Sequence, residues 1–524
     1  MNVLLINPKF PVSFWSLEKS CRDDGRRALA PSLGLITVAA LLPQEWDLRL
    51  VDVNARNVSE AEWDWADTVM ITGMLLQKES LLHHVRLAKE RGKTVVVGGP
   101  YATSVPGEVL DAGVDFLVRG EGETTIPLLL KALEEGRTGG VFAHEAKPDL
   151  TSSPIPRFDL LHLPDYRVLS IQTSRGCPFD CEFCDVVSLY GRKTRYKTPE
   201  QVIRELEAIY QLGWTQFVFV GDDNFVGSRQ HARAILEKLI PWHKSKGEPF
   251  IFWTQASVNL GQDLEMVDLM TAANFTTVFI GIESPDEEVL TLTRKHHNVR
   301  NPLAESLENI NRNGLQAMVS FVIGLDVEKK GVGERICDFV EDAGIPLVIL
   351  NRLQALPNTS LWDRLAKEGR LVLNRTSGDT FGDRLNYVPT RPEADIMQEY
   401  VDAWEYLYEP SRFLARTYRY FMTMRPTRRA MALEKGEEPA DAAPTPGLRP
   451  PRSLVNLLRL MWGQGVVSRH RFQFWRQFWA VLRRNPSRFV AYIIACKLCM
   501  DISYFVRDLC NKIRTEHADT LLTK

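Results

Sequence analysis

Over the first 130 residues, short β-branched runs alternate with stretches of helical periodicity. Val3 to Ile6, Leu48 to Val53, Thr68 to Thr72, Thr94 to Val97 and Phe116 to Val118 read as buried strands. Leu33 to Leu42 and Ser80 to Arg91 read as helices between them. Strands separated by helices imply right-handed crossovers, so the pattern predicts an α/β fold with a parallel, Rossmann-like sheet and a binding crevice at the strands' carboxyl ends. A polar stretch from Ala143 to Pro164 contains Pro148, Pro154, Pro156 and Pro164 and has the composition of a linker. A second alternation follows, with strands expected at Val168 to Thr173, Phe217 to Val220, Phe250 to Thr254, Val278 to Ile282, Ala317 to Ile323 and Leu347 to Leu350. Six strands separated by helices predict a partial (β/α)6 barrel. Beyond about residue 410 helical periodicity takes over, broken by Glu434 to Pro451, which is rich in Glu, Ala and Pro and is expected to be a flexible loop. The expected organisation is therefore a Rossmann-like domain at 1–142, a linker at 143–164, a barrel at 165–355 and a mainly helical region at 356–524.

A length of 524 residues, at about 150 per domain, suits three or four such units. With 44% hydrophobic and 25% charged residues, large-scale disorder and fibrous repeats are excluded. The net charge of -2 at face value speaks against nucleic-acid or membrane partners. That value conceals a division: residues 412–514 hold 20 Lys and Arg against 6 Asp and Glu, so the rest of the chain is acidic and this tail basic. Within the tail, Arg469-His470-Arg471-Phe472-Gln473-Phe474-Trp475-Arg476-Gln477-Phe478-Trp479 interleaves aromatics with arginines, and Arg483, Arg484 and Arg488 follow. Basic amphipathic helices of this kind suit an anionic membrane interface; the competing reading is a helical cap whose arginines pair with the acidic barrel surface. No nucleic-acid recognition motif occurs, and no nucleic-acid partner is expected.

Eight cysteines are too few for a disulfide scaffold, which points to the cytosol. The amino terminus has neither a basic leader nor a cleavage site, and Lys497 and Asp501 interrupt the apolar stretch Phe489 to Val506. No signal peptide and no spanning helix are expected. The expected location is the cytoplasm, with peripheral contact at the inner membrane face. Cys496 and Cys499 read as apolar helix positions rather than a second metal site.

Three cysteines stand together after the first barrel strand, in Ser174-Arg175-Gly176-Cys177-Pro178-Phe179-Asp180-Cys181-Glu182-Phe183-Cys184. Thiolates are natural ligands for iron-sulfur clusters, and spacings of two to four residues let one loop wrap several corners of a cubane while one iron stays open. Structural zinc sites want four ligands, commonly as two separated Cys-x2-Cys pairs, and none of the other five cysteines is close in sequence.

The motif and its position resemble the radical S-adenosylmethionine superfamily. The resemblance implies that Cys177, Cys181 and Cys184 hold a 4Fe-4S cluster whose open iron chelates the methionyl group of S-adenosylmethionine, with Phe183 beside the adenine. It further implies reductive cleavage of the sulfonium to a 5'-deoxyadenosyl radical, which takes hydrogen from an unactivated carbon; the cofactors supply that reactivity and the protein supplies position and dryness. Val220-Gly221-Asp222-Asp223-Asn224-Phe225 stands where the superfamily carries the acidic motif that receives the amino group of S-adenosylmethionine. Two aspartates replace its Gly-Glu, and the choice between Asp222 and Asp223 is open, with a solvated strand-end turn as the alternative. Phe279-Ile280-Gly281-Ile282-Glu283-Ser284 matches a Gly-x-Glu-Ser pattern that implies Glu283 near the ribose or methionyl end, with Gly281 permitting close backbone approach. The run Arg192-Lys193-Thr194-Arg195-Tyr196-Lys197 could neutralise the S-adenosylmethionine carboxylate or a substrate phosphate, although a solvated surface is the commoner role. Leu356-Pro357-Asn358-Thr359-Ser360 stands where relatives carry a Pro-Gly-Thr turn, and it reads as a turn.

Radical enzymes with a Rossmann-like domain ahead of the barrel resemble the cobalamin-dependent class. Val96-Val97-Gly98-Gly99-Pro100-Tyr101-Ala102-Thr103 and Val118-Arg119-Gly120-Glu121-Gly122-Glu123-Thr124 both fall at predicted strand ends. The class implies that Gly98 and Gly99 let the backbone approach the cofactor's nucleotide tail and that Thr72 and Thr103 contact it. The alternative is ordinary turn chemistry, with Glu121 and Glu123 opening a helix in favourable dipole positions. The Asp-x-His-x-x-Gly motif that ligates cobalt in some members is absent: the chain reads Asn7-Pro8-Lys9-Phe10-Pro11 after the first strand, and His83 and His84 fall in a helical pattern. A noncoordinating residue or water near Met74 to Gln77 is expected below the cobalt. Asn7 to Trp15, Arg157-Phe158-Asp159-Leu160-Leu161 and the barrel motifs together resemble, over about residues 1 to 410, the branch containing hopanoid C-2 methylases. The expected activity is methylation of an unactivated sp3 carbon of a polycyclic lipid such as a hopanoid, with an electron donor such as flavodoxin or ferredoxin. A cobalamin-dependent cyclase or oxidoreductase without methyl transfer and a noncatalytic cobalamin sensor are the alternatives.

Overall fold

The computed structural model describes residues 1–382, 384–436 and 450–516, with side chains in the last segment described from 455. Most of the insert expected to be a loop, residues 437–449, lies outside the described residues.

Six parallel strands build the first sheet: β1 (Asn2–Asn7), β2 (Asp47–Asp52), β3 (Thr68–Thr72), β4 (Thr94–Gly98), β5 (Phe116–Arg119) and β6 (Gly140–Ala143), in the order β2-β1-β3-β4-β5-β6. Alternate residues of a strand face opposite sides, so a run that is apolar at every position is buried on both. Strand β1 shows this: Leu4 and Ile6 pack with Leu81 and Val85 on one face, while Val3 and Leu5 pack with Leu35, Ile126 and Leu129 on the other. Helix Lys78–Glu90 therefore covers one side and helices Leu33–Ala39 and Gly122–Glu134 the other. The hydrophobic pattern foretells five of these strands. Strand β6 is an edge strand in which only Phe142 is buried, and its short Gly140-Val141-Phe142-Ala143 runs straight into the linker-like stretch.

The Pro-rich connector is packed rather than free. Leu150 and Phe158 are fully buried, and the Arg157 amide donates to the Ile36 carbonyl of the first domain. Strand β7 (Val168–Ile171) leads into a short ribbon, β8 (Ser174–Arg175) with β9 (Arg195–Tyr196), that brackets the three cysteines. The second sheet continues with β10 (Phe217–Val220), β11 (Ile251–Gln255), β12 (Phe275–Glu283), β13 (Gln316–Ile323) and β14 (Leu347–Arg352). All its pairs are parallel, in the order β14-β13-β12-β11-β10-β7, the sequential winding of a partial barrel.

Helices Glu393–Leu407, Pro410–Thr423, Arg471–Arg484 and Phe489–Glu516 form the C-terminal layer. The last is long and apolar enough to cross a membrane by length and composition. Its side chains show another use: Cys496, Cys499, Ile502, Val506 and Ile513 are buried, and the helix packs against Glu393–Leu407 and Pro410–Thr423. Lys497 and Asp501, which break its apolar run, ion-pair with each other and with Asp23 and Lys19 of the first helix, Glu18–Asp23.

Candidate active site between the two sheets

The cysteine loop begins where the backbone turns sharply at Gly176 (φ +93°), against strands of its own ribbon. A Cβ there would stand 2.8 Å from the Gly191 carbonyl and 3.1 Å from that of Lys193, so only glycine fits. The Gly176 amide donates to Asp223 Oδ2 (3.0 Å), and the Cys177 amide donates to the Gly191 carbonyl (3.3 Å). Further along, the Glu182 amide donates to the Thr293 carbonyl, and the Glu182 carbonyl accepts from the Leu361 amide. The Glu182 carboxylate pairs with Arg364 (2.9 Å), which also holds Asp326. The C-terminal region thus grips the loop between Cys181 and Cys184. Burial raises all three thiols, Cys181 to about 11, and a bound cluster would supply positive charge that favours the thiolates. Among the described residues no three His, Cys, Asp or Glu side chains converge on one ion position. A cubane does not require that, because each cysteine binds a different iron.

Around this loop the acids divide by role. Asp222 is fully buried and accepts from the amides and hydroxyls of both Thr173 and Ser174, so its oxygens are consumed in fixing the end of β7. Asp223 keeps more solvent access and accepts one protein hydrogen bond, from Gly176; burial lifts its carboxyl to about 6. Glu283 sits at φ +68°, a left-handed conformation seldom taken by an acid, just after an irregularity in the β12–β13 pairing. Its Oε1 accepts from the buried Lys295 ammonium, whose charge also reaches Cys181 and Cys184. A Cβ on Gly281 would lie 2.1 Å from Glu283 Oε1 and 2.9 Å from Lys295 Nζ, so the glycine makes room for this ion pair. Phe183 is half-buried against the barrel core, and Phe179 stacks on His297 with ring centroids 3.7 Å apart.

Beside the loop, a cavity of about 360 Å³ opens between the carboxyl ends of the two sheets. The first domain lines it with Thr72, Gly98, Gly99 and Thr103, among others, and the barrel with Gln172, Tyr190, Phe219 and Gly221. Gly99 has φ +91°, and a Cβ on it would stand 2.2 Å from the Thr72 hydroxyl, so the strand-end turn is open only because the side chain is missing. Thr103 donates to the Gly99 carbonyl (2.8 Å) and accepts from the Gly120 amide (2.9 Å), tying the two glycine loops together. Across the cavity rim Arg175 forms a fork on Glu123 and also reaches Glu121, which Arg195 holds as well.

Three family descriptions match successive parts of the chain: the B12 binding domain at 26–130, the radical SAM superfamily at 171–340 and a domain of unknown function, DUF4070, at 359–515. An uncharacterized methyltransferase of Synechocystis sp. is 48% identical over 95% of this chain and 90% of its own length. A hopanoid C-2 methylase of Rhodopseudomonas palustris is 34% identical over 90% of this chain and 88% of its own. The chain belongs to the cobalamin-dependent radical S-adenosylmethionine methyltransferases. Solved structures agree on the fold of this methyltransferase. The radical S-adenosylmethionine methyltransferase TsrM from Kitasatospora setae, with cobalamin and a [4Fe-4S] cluster bound, covers 70% of this chain and 78% of its own (TM-score 0.57, 19% identity). The cobalamin-dependent S-adenosylmethionine radical enzyme OxsB covers 98% of this chain and 81% of its own (TM-score 0.58, 16% identity).

The methyltransferase uses a 4Fe-4S cluster, S-adenosylmethionine and cobalamin, and the residues present fit all three. Three thiols stand on one loop, a partly open carboxylate borders it, and a glycine cradle lines the shared cavity. Among the described residues no histidine lines that cavity, and His84 is spent on the Ser80 carbonyl of its own helix. Of Met74 to Gln77, Met74 is exposed, while Gln77 is buried and bonds Pro8 and Met74. The basic run is neither a solvated face throughout nor a free anion site: Arg195 clamps Glu121, and Lys197 pairs with buried Glu205. Thr359 caps helix Ser360–Lys367, the helix that carries Arg364, so the expected turn is also a support of the cysteine loop. Sequence reasoning missed Lys295, Arg364 and the Arg175 fork. No motif marks them, and only the fold brings Lys295 to Glu283 or Arg364 to Glu182.

Proposed function

We propose that this methyltransferase adds a methyl group to an unactivated sp3 carbon of a polycyclic lipid of the hopanoid type. The likeness to the hopanoid C-2 methylase of R. palustris supports that substrate because it runs through 90% of the chain, more than the two cofactor domains together account for. When bound, the cluster with S-adenosylmethionine supplies hydrogen-atom abstraction, and cobalamin supplies the methyl group. Cys177, Cys181 and Cys184 hold the cluster. Asp223 receives the amino group of S-adenosylmethionine, while Asp222 keeps the strand end in place. Glu283, set by Lys295, faces the ribose or methionyl end, and Phe183 packs beside the adenine. Gly98, Gly99 and Thr72 line the approach to the nucleotide tail of cobalamin, with Thr103 holding their loops together. Arg175 and Arg195 close the rim against water by locking the first domain to the barrel. A small reducing protein of the flavodoxin or ferredoxin class supplies electrons.

Reconstituted protein supplied with S-adenosylmethionine, reductant and a hopanoid should yield 5'-deoxyadenosine, S-adenosylhomocysteine and a lipid heavier by one methyl group. Formation of 5'-deoxyadenosine without S-adenosylhomocysteine would overturn methyl transfer. Both coproducts with unmodified hopanoid, together with unchanged hopanoids in cells lacking the protein, would overturn the substrate.

A further inference from the structure

Helix Pro450–Trp462 and the turn after it show two opposed faces. Asn456, Leu460 and Gln464 are buried: Asn456 donates to Asp24 (3.0 Å), and Leu460 joins a core with Leu414, Phe421 and Phe474. Val455, Leu458, Trp462 and Val466, at steps of three and four on the other side, are all exposed, Trp462 at 65%. Helix Arg471–Arg484 repeats the division. Phe474, Gln477 and Val481 face inward, whereas Phe472, Arg476, Trp479 and Arg483 face solvent, with Phe472 76% and Trp479 49% exposed. Two successive elements therefore turn an apolar or aromatic stripe outward, next to a core that has already taken its share of the segment's aromatics.

Charge follows the same split. Between Val455 and Met500 the sequence has no Asp or Glu. Arg488 and Lys497 turn inward, to the Gly314 and Arg425 carbonyls and to Asp501 respectively, and Arg459, itself exposed, pairs with Asp23. Arg469, Arg471, Arg476, Arg483 and Arg484 are exposed and form no ion pair with a described residue. The helical-cap reading of the tail thus accounts for the first set and leaves the second. Protruding Trp and Phe interleaved with five unpaired guanidiniums match what an interface of anionic lipid headgroups binds: rings at the acyl boundary, cations on phosphates.

We propose that this face docks the methyltransferase peripherally on an anionic membrane leaflet, the inner face of the cell membrane, through Trp462, Val467, Phe472 and Trp479 flanked by Arg469, Arg471, Arg476, Arg483 and Arg484. Docking deepens the lipid-substrate reading and draws its purpose from it, yet it is measured without turnover, so the two fail separately. Full-length protein should sediment with vesicles of phosphatidylcholine containing one third phosphatidylglycerol, and much less with pure phosphatidylcholine. Raising the salt to half molar should release it. Arg476→Gln with Arg483→Gln should weaken binding about thirtyfold. Phe472→Ser with Trp479→Ser should weaken it as well, with circular dichroism unchanged because both rings are exposed. Equal sedimentation with and without anionic vesicles would overturn the proposal. So would a dimer in solution that the Phe472→Ser, Trp479→Ser variant dissociates, since a second copy would then be what covers the face.

Discussion

Replacing Arg175 with alanine removes an enclosed tie between the cobalamin domain and the barrel. Its guanidinium lies 2.8 Å from Glu121 and 2.9 and 3.0 Å from the two Glu123 oxygens, with side-chain exposures of 12%, 3% and 4% for the three residues. Glu121 keeps Arg195 as a partner, whereas Glu123 keeps the Ser153 hydroxyl and its own backbone amide but no cation. Orphaning one member of a buried pair commonly costs 3–5 kcal/mol, and the surviving contacts place Arg175→Ala at the low end, about 3 kcal/mol. With a urea slope of about 3 kcal/mol per molar, the unfolding midpoint should fall by roughly 1 M. Adding Glu123→Gln to that background removes the unpaired charge and should recover most of the loss. Burial alone would raise the Glu123 carboxyl, but Arg175 holds it below its usual 4.5. A folded-state value below the unfolded one stabilises above pH 4.5 and fades as pH falls through the depressed value. The difference between wild type and Arg175→Ala should therefore be constant near neutrality, begin to shrink as pH falls through the raised carboxyl value of the variant, above 4.5, and go on shrinking down through the depressed value of the wild type. An unchanged midpoint, or a double variant no better than the single, would refute the clamp.

Cys181→Ala should leave chemically reconstituted protein without iron and without the visible absorbance of a cluster; retained iron would reassign the ligands. Asp223→Asn should weaken S-adenosylmethionine binding about tenfold with little change in stability, whereas Asp222→Asn should cost about 2 kcal/mol by disturbing four buried hydrogen bonds. Calorimetry and urea melts together separate these outcomes, and equal effects would contradict the division of roles. Gly99→Ala puts a Cβ 2.2 Å from the Thr72 hydroxyl at a φ that costs roughly 1–3 kcal/mol for a side-chain-bearing residue. Cobalamin titration followed by absorbance should show at least tenfold weaker binding, and normal binding would move the cofactor away from this turn.

Strand β1 was legible because four consecutive apolar residues can be satisfied only between two covered faces, and the cysteine loop because its spacing is itself the chemistry. Strand β6 was not, since its four residues are too short a run to stand out from the linker-like stretch they lead into. The Pro-rich connector had the composition of a linker, yet Leu150 and Phe158 bury it, which no local signal announces. The two aspartates looked interchangeable in sequence; what separates them is that Thr173 and Ser174, almost fifty positions away, surround one and not the other. The arginines of the tail were visible as a group, but which of them find partners depends on where Asp23 and Gly314 come to lie.

The first helix, Glu18–Asp23, has a temporal implication. Asp23 is held by Lys497 (3.3 Å) and Arg459 (3.1 Å), and Lys19 by Asp501 (3.0 Å), so a segment made early finds its partners among residues made hundreds of positions later. At 5–20 residues per second, roughly 25 to 95 seconds separate the emergence of Asp23 from that of Lys497. The strands of the cobalamin domain lie within the first 143 residues and can pair while the ribosome is still at work. The helix that seals the domain's flank must wait for the last helix, as the cysteine loop must wait for Leu361 and Arg364. Closure at each place thus waits for residues made later: a nascent chain stalled before Leu361 leaves the cysteine loop without these partners, and one stalled before Arg459 still leaves Asp23 without its own.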